Sequence, residues 1–162
     1  HTHRRIQETK HVNSGKPGVL FLCTGNSARS QMAEGLLRAH GGDLFEAYSA
    51  GTEPKGLNPL AVQALAERGI DIRAQRSKHV SEFLGKLAVQ HVIIVCGDAD
   101  RRCPSVWPGV LRREFWPFED PAAATGSEVE RLEKFRQVRD QIEARLLPWL
   151  EEHRALTNKS NN

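Results

Sequence analysis

An apolar run that leads into a short polar loop and then into a helical pattern is the feature that most constrains the fold. Residues 18–34 read G-V-L-F-L-C-T-G-N-S-A-R-S-Q-M-A-E. The short apolar run over residues 19–22, bounded by turn residues, predicts a strand buried on both faces. Over residues 27–40 apolar residues recur at helical spacing, and two glycines end the pattern. The sequence therefore predicts a strand–loop–helix unit.

The rest of the chain alternates between the same two patterns. Strands are expected over residues 44–50, 91–95 and 114–116, and helices over residues 58–69 and from 127 onward. Asn58 is expected to cap the helix over residues 58–69. The last helix opens with a capping box at Ser127 and Glu130 and is expected to break near Pro148. This alternation predicts a single three-layer α/β domain, with a four-stranded parallel sheet flanked by helices. We place the domain at residues 18–152, between a flexible N-terminal tail (1–17) and a frayed C-terminal tail (153–162).

Composition argues against several classes of function. The chain has 162 residues, 39% of them apolar, which is enough for one domain with a buried core. Its net charge of +3 is small and its basic residues are scattered, so we expect no nucleic-acid or membrane partner. No apolar run approaches the ~20 residues that span a bilayer, and the first residues are too polar for a secretory signal. We expect a cytoplasmic monomer whose cysteines are reduced.

The loop after the first strand connects a thiol, Cys23, to Arg29 across five residues. A strand-to-helix loop turns backbone N–H groups inward, and the helix dipole adds partial positive charge, so the loop is expected to bind a tetrahedral oxyanion. The same field is expected to lower the pKa of Cys23, giving a thiolate near neutral pH. Arg29 offers a planar fork for two oxygens. The expected oxyanion ligands are Thr24, Gly25, Asn26, Ser27, Ala28, Arg29 and Ser30.

The segment C-T-G-N-S-A-R-S-Q-M-A-E-G resembles the signature of the low-molecular-weight protein tyrosine phosphatase superfamily. More narrowly, it resembles the thioredoxin-coupled arsenate reductases, whose loop continues into Ser-Gln-Met-Ala-Glu. The resemblance extends through residues 49–51, 77–79, 96–104, 115–121 and 135–142. It implies a low-molecular-weight phosphatase-like fold that binds arsenate or phosphate and converts arsenate to arsenite.

The same resemblance implies a relay of three cysteines. Cys23 attacks arsenic while Asp120, immediately before Pro121, protonates the departing oxygen. Cys96 then attacks Cys23 and releases arsenite, and Cys103 attacks Cys96 in turn. The resulting disulfide between Cys96 and Cys103 is reduced by thioredoxin, although the sequence leaves glutaredoxin or another thiol open as the reductant.

The spacing of the last two cysteines adds a prediction about conformation. A helix between Cys96 and Cys103 would place their Cα atoms ~10 Å apart and a strand ~23 Å apart, whereas a disulfide needs ~7 Å or less. Gly97, Asp98 and Asp100 favour turns. We therefore expect the segment between the two cysteines to change conformation on oxidation.

The resemblance also implies a possible cation, and no other cofactor is expected. Asn26, Glu34, Ser49 and Glu82 resemble the potassium site of some of these reductases, with Glu82 standing where an aspartate is expected. In the alternative interpretation, Asn26 and Ser49 only brace the loop through hydrogen bonds.

Two other functions remain open at this point. A low-molecular-weight tyrosine phosphatase would use Cys23, Arg29 and Asp120 for phosphoryl transfer, and Cys96 and Cys103 would then serve only in redox protection. A non-enzymatic oxyanion-binding module would use the loop alone.

Overall fold

The computed structural model describes residues 15–83, 89–96 and 112–161. Within them, four strands form one sheet in the order β2-β1-β3-β4, and every neighbouring pair is parallel. The strands are β1 (Gly18–Cys23), β2 (Glu46–Gly51), β3 (His91–Ile94) and β4 (Arg112–Phe115). The prediction of an α/β domain with a four-stranded parallel sheet is confirmed.

The α-helices in this part of the chain are α1 (Arg29–Gly41), α2 (Pro59–Ala66) and α3 (Glu128–Asn161), and short 3₁₀ turns occur at Val80–Glu82 and Pro121–Ala123. Both predicted caps form. Asn58 accepts a hydrogen bond from the N–H of Leu60 (2.9 Å) at the start of α2. Ser127 and Glu130 each accept from the other's backbone N–H at the start of α3. No helix among the described residues is both long enough and apolar enough to cross a membrane.

The core forms around the two central strands. Every residue of β1 and β3 is buried, and each of these strands has a paired neighbour on both sides. Strand β4 lies at the edge, and its charged residues are largely exposed. Directly after it, Trp116 is buried and packs on Phe21, with ring centroids 6.3 Å apart. The ends of β1 and β3 are therefore anchored in the most buried part of the protein.

Helix α3 packs closely against α1 at Gly41. A Cβ on Gly41 would lie 2.5 Å from Cδ2 of Leu150, so a larger residue there would have to displace the Leu150 side chain. The prediction that α3 breaks near Pro148 is wrong, because the helix continues through Pro148 to Asn161. The proline removes one backbone hydrogen bond. Trp149 and Leu150 beside it are buried, and their packing offsets that loss.

The two ends of the described chain make contacts beyond the predicted domain limits. Residues 1–14, most of the predicted N-terminal tail, lie outside the described residues. Lys16 donates to the carbonyl of Gly42 (2.8 Å), so ordered contacts begin before residue 18. The expectation of a frayed end after residue 152 is corrected, because that segment is helical and Arg154 pairs with Asp43 at 2.6 Å.

Candidate active site

Three segments that carry reactive groups meet at the carboxyl edge of the sheet. Cys23 is the last residue of β1, and Cys96 follows the end of β3. Residues 118–120 follow β4. Open parallel sheets bind their ligands at this edge. Cys103, and with it the segment predicted to change conformation on oxidation, lies outside the described residues.

The loop between β1 and α1 has its backbone carbonyls turned outward. The carbonyl oxygens of residues 24–28 each accept a hydrogen bond of 2.8–3.0 Å from outside the loop, the donors being the backbone N–H groups of Glu53, Lys55, Asn58 and Met32 and the side chain of Gln31. No described peptide bond is cis. In a trans peptide the N–H points opposite to the preceding carbonyl, so the N–H groups of residues 25–29 face the interior of the loop. This arrangement is an anion-binding nest.

Asn26 holds the loop in this shape. Its backbone is left-handed (φ 45°), a conformation that asparagine tolerates better than most residues. The side chain is fully buried and donates to Oγ of Ser30 (2.8 Å), while its Oδ1 accepts from the backbone N–H of Lys78 (2.8 Å) and from Gln31 (3.0 Å). The strained residue is thereby fixed from both α1 and the segment before the Val80–Glu82 turn.

Gly51, at the end of β2, lies directly against the loop. A Cβ at this position would lie 2.5 Å from the carbonyl oxygen of Thr24 and 2.9 Å from the backbone nitrogen of Asn26. Real Cβ atoms do not approach backbone this closely, so a side chain at residue 51 would displace the loop.

Arg29 begins α1, and its side chain is 13% exposed. One guanidinium nitrogen, Nη1, donates to the carbonyl of Phe118 (3.1 Å), and the other, Nη2, lies 3.7 Å from Oδ2 of Asp120. The Nε atom is buried without a hydrogen-bond partner among the described residues. A buried donor with no partner is costly, and an oxyanion in the loop would satisfy it.

Asp120, rather than the adjacent Glu119, faces the loop. Its Oδ1 accepts from the N–H of Ala122 (3.0 Å), which caps the Pro121–Ala123 turn and leaves Oδ2 directed towards Arg29. Glu119 is 62% exposed and pairs with Lys134 at 3.2 Å. The geometry therefore distinguishes the two neighbouring carboxylates.

Cys23 and Cys96 come together beneath the loop. Both thiols are buried, and no disulfide joins the two. The two side chains lie within hydrogen-bonding reach of each other. Thr24 fixes Cys96 from the loop side, because its backbone N–H donates to the sulfur at 3.2 Å and its hydroxyl lies 3.4 Å from the sulfur. The sulfur of Cys96 therefore lies next to the sulfur of Cys23.

This contact changes the acidity expected for the nucleophile. The hydrogen bond with Cys96 and then burial raise the pKa of Cys23, against the lowering effects of the Arg29 charge and of the Gly25 N–H, which donates to the sulfur. The prediction of a Cys23 pKa lowered by the loop field is therefore wrong for this arrangement. Cys96 is distant in sequence, and its contact with Cys23 could not be read from the loop.

The four residues of the predicted potassium site do not form a cation cage. Ser49 donates to Oε1 of Glu34 at 2.5 Å, and Nζ of Lys78 lies 3.7 Å from the same oxygen. Glu82, which the resemblance set where an aspartate is expected, is exposed and pairs with Arg76 instead, at 2.5 Å. An ammonium group already lies beside the carboxylate, so these residues do not fit a potassium ion. Asn26 and Ser49 act as braces, as in the alternative interpretation.

Several residues that shape the site were absent from the sequence predictions. Gln31 is fully buried and links Asn26 to the carbonyl of Arg76 (2.9 Å). Gln31 belongs to the segment that carries the family resemblance, and this position could have marked it as a residue that shapes the site. Lys78 and Phe118 lie in two segments of the resemblance, 77–79 and 115–121, but their contacts with the site join distant parts of the chain and were not predicted.

A nest of N–H groups above a buried cysteine, at the carboxyl edge of a parallel sheet, defines a cysteine-containing phosphate-loop protein. A model of the family described as "Low molecular weight phosphotyrosine protein phosphatase" matches residues 18–161. The chain belongs to this family.

Relatives within the family share most of the chain. An arsenate reductase from Bacillus licheniformis is 48% identical over 136 residues, covering 84% of this chain and 96% of the relative. A solved structure described as an arsenate reductase in the phosphate binding state is 33% identical, with a TM-score of 0.69 over 84% of this chain and 98% of that one. A thioredoxin-dependent arsenate reductase from Corynebacterium glutamicum is 27% identical, with a TM-score of 0.61 over 94% of this chain and 70% of that one.

Proposed function

We propose that this protein is an arsenate reductase that transfers electrons through Cys23, Cys96 and Cys103 and is regenerated by thioredoxin. The observation that carries the proposal is the contact between the thiols of Cys23 and Cys96 under the oxyanion loop. Phosphoryl transfer needs only the first thiol. A two-electron reduction of arsenic needs two thiols within reach of each other, because both electrons leave as one disulfide forms.

Arsenate is a tetrahedral oxyanion, so the loop treats it as it would phosphate. The N–H groups of residues 25–29 bind its oxygens, and Arg29 supplies the charge and the buried Nε donor. The relative solved in a phosphate binding state supports this use of the loop.

The first chemical step joins sulfur to arsenic. The thiolate of Cys23 attacks arsenic, one arsenic–oxygen bond breaks, and Asp120 supplies the proton with which that oxygen leaves as water. Asp120 lies beside Arg29 and therefore beside the bound ion. Arsenic remains As(V) in this step, bonded to Sγ of Cys23.

The second step moves the electrons. The thiolate of Cys96 attacks Sγ of Cys23, a sulfur–sulfur bond forms, and the pair of the sulfur–arsenic bond goes to arsenic, which leaves as arsenite. Cys103 then attacks Cys96, so that Cys23 is released as a thiolate and the disulfide moves to Cys96 and Cys103. A dithiol protein restores both thiols by the same exchange. The thioredoxin-dependent relative supports thioredoxin in that role.

The test couples arsenate turnover to NADPH oxidation in the presence of thioredoxin and thioredoxin reductase. We expect arsenate-dependent NADPH oxidation by the wild type, and its loss, by about 100-fold or more, in Cys96→Ser and Cys103→Ser. Aryl phosphate hydrolysis serves as the matched control, because Cys23, Arg29 and Asp120 are intact in both variants. Absence of NADPH oxidation in the wild type, or turnover by Cys96→Ser at the wild-type rate, would reject the relay. Efficient aryl phosphate hydrolysis in its place would identify a phosphatase.

A further inference from the structure

Glu34, on α1 beneath the loop, is a buried carboxylate whose charge needs compensation. Its side chain is 7% exposed, and a buried charge is strongly destabilising unless it is paired and hydrogen-bonded. Oε1 accepts from the hydroxyl of Ser49, and Oε2 accepts from the guanidinium of Arg38, each at 2.5 Å. Arg38 is 51% exposed and hydrogen-bonds only to the outer oxygen of Glu34, Oε2. The inner oxygen, Oε1, therefore needs a second cation to compensate its charge.

Lys78 supplies that cation from within the chain. Its side chain is 10% exposed, and Nζ lies 3.7 Å from Oε1 of Glu34. The same ammonium donates to the backbone carbonyl of Arg76 at 2.6 Å. The ammonium thus lies next to a carboxylate oxygen and a carbonyl oxygen. Oxygens of these two kinds are the ligands that a bound monovalent cation would use.

The backbone of Lys78 is tied to the oxyanion loop. Its N–H donates to Oδ1 of Asn26 (2.8 Å), the left-handed residue that sets the loop's shape. Its carbonyl accepts from the N–H of Gly51 (2.8 Å), the residue packed against the loop. One residue therefore neutralises the buried carboxylate with its side chain and positions the loop with its backbone.

We infer that Lys78 is a positioning residue whose ammonium is a built-in replacement for a bound monovalent cation, so that oxyanion binding by this chain is independent of potassium. The inference concerns the loop of the proposed function, but its readouts are phosphate binding and thermal unfolding rather than arsenate reduction. If the wild type binds phosphate but does not reduce arsenate, the proposed function is rejected and this inference still holds.

The first measurement compares cations on the wild-type protein. Phosphate dissociation constants from calorimetry and melting temperatures are recorded in potassium chloride and in tetramethylammonium chloride at equal ionic strength. We expect the two salts to give the same values. Tighter phosphate binding or a higher melting temperature in potassium would overturn the inference.

The second measurement removes the ammonium. In Lys78→Met we expect phosphate affinity in tetramethylammonium chloride to fall by about 10-fold, the lower end of what is lost when an outer-shell partner of a metal ligand is removed. Potassium, or methylammonium added as a replacement for the missing group, should restore most of that loss. Recovery that depends on a small cation separates a positioning charge from a merely structural side chain.

Two further variants complete the experiment. Arg38→Met removes the exposed cation from the same Glu34 without touching Asn26, and we expect unchanged phosphate affinity in both salts. The double variant Glu34→Gln/Lys78→Met removes both buried charges, so it should fold even if Lys78→Met does not, and it should bind phosphate equally in both salts. The inference would be overturned if the phosphate affinity of Arg38→Met depended on potassium as strongly as that of Lys78→Met. It would also be overturned if the phosphate affinity of the double variant depended on potassium. A folded Lys78→Met that binds phosphate like the wild type in tetramethylammonium chloride would overturn it as well.

Discussion

The guanidinium of Arg29 lies 3.7 Å from the carboxylate of Asp120, and its other terminal nitrogen donates to the carbonyl of Phe118 two residues earlier. One side chain at the start of α1 therefore sets the position of the segment that carries the proposed acid. In the proposed mechanism the arginine has two roles: it binds the oxyanion, and it holds the acid next to it.

Arg29→Lys should impair both roles. Lysine keeps the positive charge but loses the planar fork, so it cannot hold the Phe118 carbonyl and two oxyanion oxygens at once. We expect kcat/KM for arsenate to fall by about 100-fold, with weaker phosphate binding measured by calorimetry. The control is Arg73→Lys, which alters an exposed pair with Asp71 only. Activity of Arg29→Lys within twofold of the wild type would contradict the assignment.

Cys96→Ala should make Cys23 more acidic. The hydrogen bond with Cys96 is the largest cause of the raised pKa of Cys23, and the lowering effects of Arg29 and the Gly25 N–H remain in the variant. A thiolate, but not a thiol, reacts with iodoacetamide. We therefore expect the midpoint of the pH profile for Cys23 alkylation, followed by mass spectrometry, to move to lower pH.

The urea-unfolded chain is the reference for this titration, because there the wild type and Cys96→Ala should show the same midpoint. A folded variant whose midpoint stays at the wild-type pH, or rises, would show that burial alone determines the acidity of Cys23.

Gly51→Ala should damage the oxyanion loop specifically. The new Cβ would overlap the carbonyl of Thr24 and the backbone nitrogen of Asn26, and overpacking of this kind costs about 1–3 kcal/mol. We expect lower stability in urea titrations together with weaker phosphate binding. Gly69→Ala is the matched control, because Gly69 has a positive φ of 74° but no neighbour within 4 Å of its Cβ position. It should lose stability and keep phosphate affinity; equal phosphate affinity in both variants would refute the loop contact.

Acid should destabilise the contact between α3 and the start of β3 through His91. Burial, followed by the charge of His153, lowers the pKa of His91 below its ordinary value of 6.5, while Glu114 opposes the shift. The unfolded chain then binds more protons than the folded protein between pH 6.5 and that lowered value. The contribution of neutral His91 to the free energy of unfolding is therefore complete above pH 6.5, and it is lost as the pH falls through this window.

His91→Phe removes this titration and keeps the aromatic packing against Phe45 and Trp149. We expect its melting temperature to depend less on pH between about 7 and 5 than that of the wild type. An unchanged slope in His91→Phe would assign the acid sensitivity to other groups.

The sequence was informative where local pattern determines structure. The apolar residues of β1 and β3 predicted burial on both faces, and the caps at Asn58 and Ser127 formed as expected because a cap is satisfied within a few residues. The spacing of Cys23 and Arg29 placed a thiol and a cation at the two ends of one loop.

The failures depended on contacts between distant residues. Pro148 predicted a helix break, but the buried side chains that follow it outweigh one missing hydrogen bond. The predicted acidity of Cys23 rests on the field of the loop alone, whereas the largest effect on its pKa comes from Cys96, which β3 brings next to it. The resemblance predicts Glu82 as a cation ligand, but in the fold Glu82 pairs with Arg76, and the ammonium of Lys78 lies beside Glu34.

The outward-turned carbonyls of residues 24–28 have a consequence for how the protein survives in a cell. Their donors come from α1 and from the segment between β2 and α2, so the nest exists only in the completed fold. An ion that binds there is bound by the native chain and not by the unfolded one, and it stabilises the native chain by mass action. Phosphate should therefore act on this protein in two opposite ways, protecting it from unfolding and proteolysis while competing with arsenate for the site.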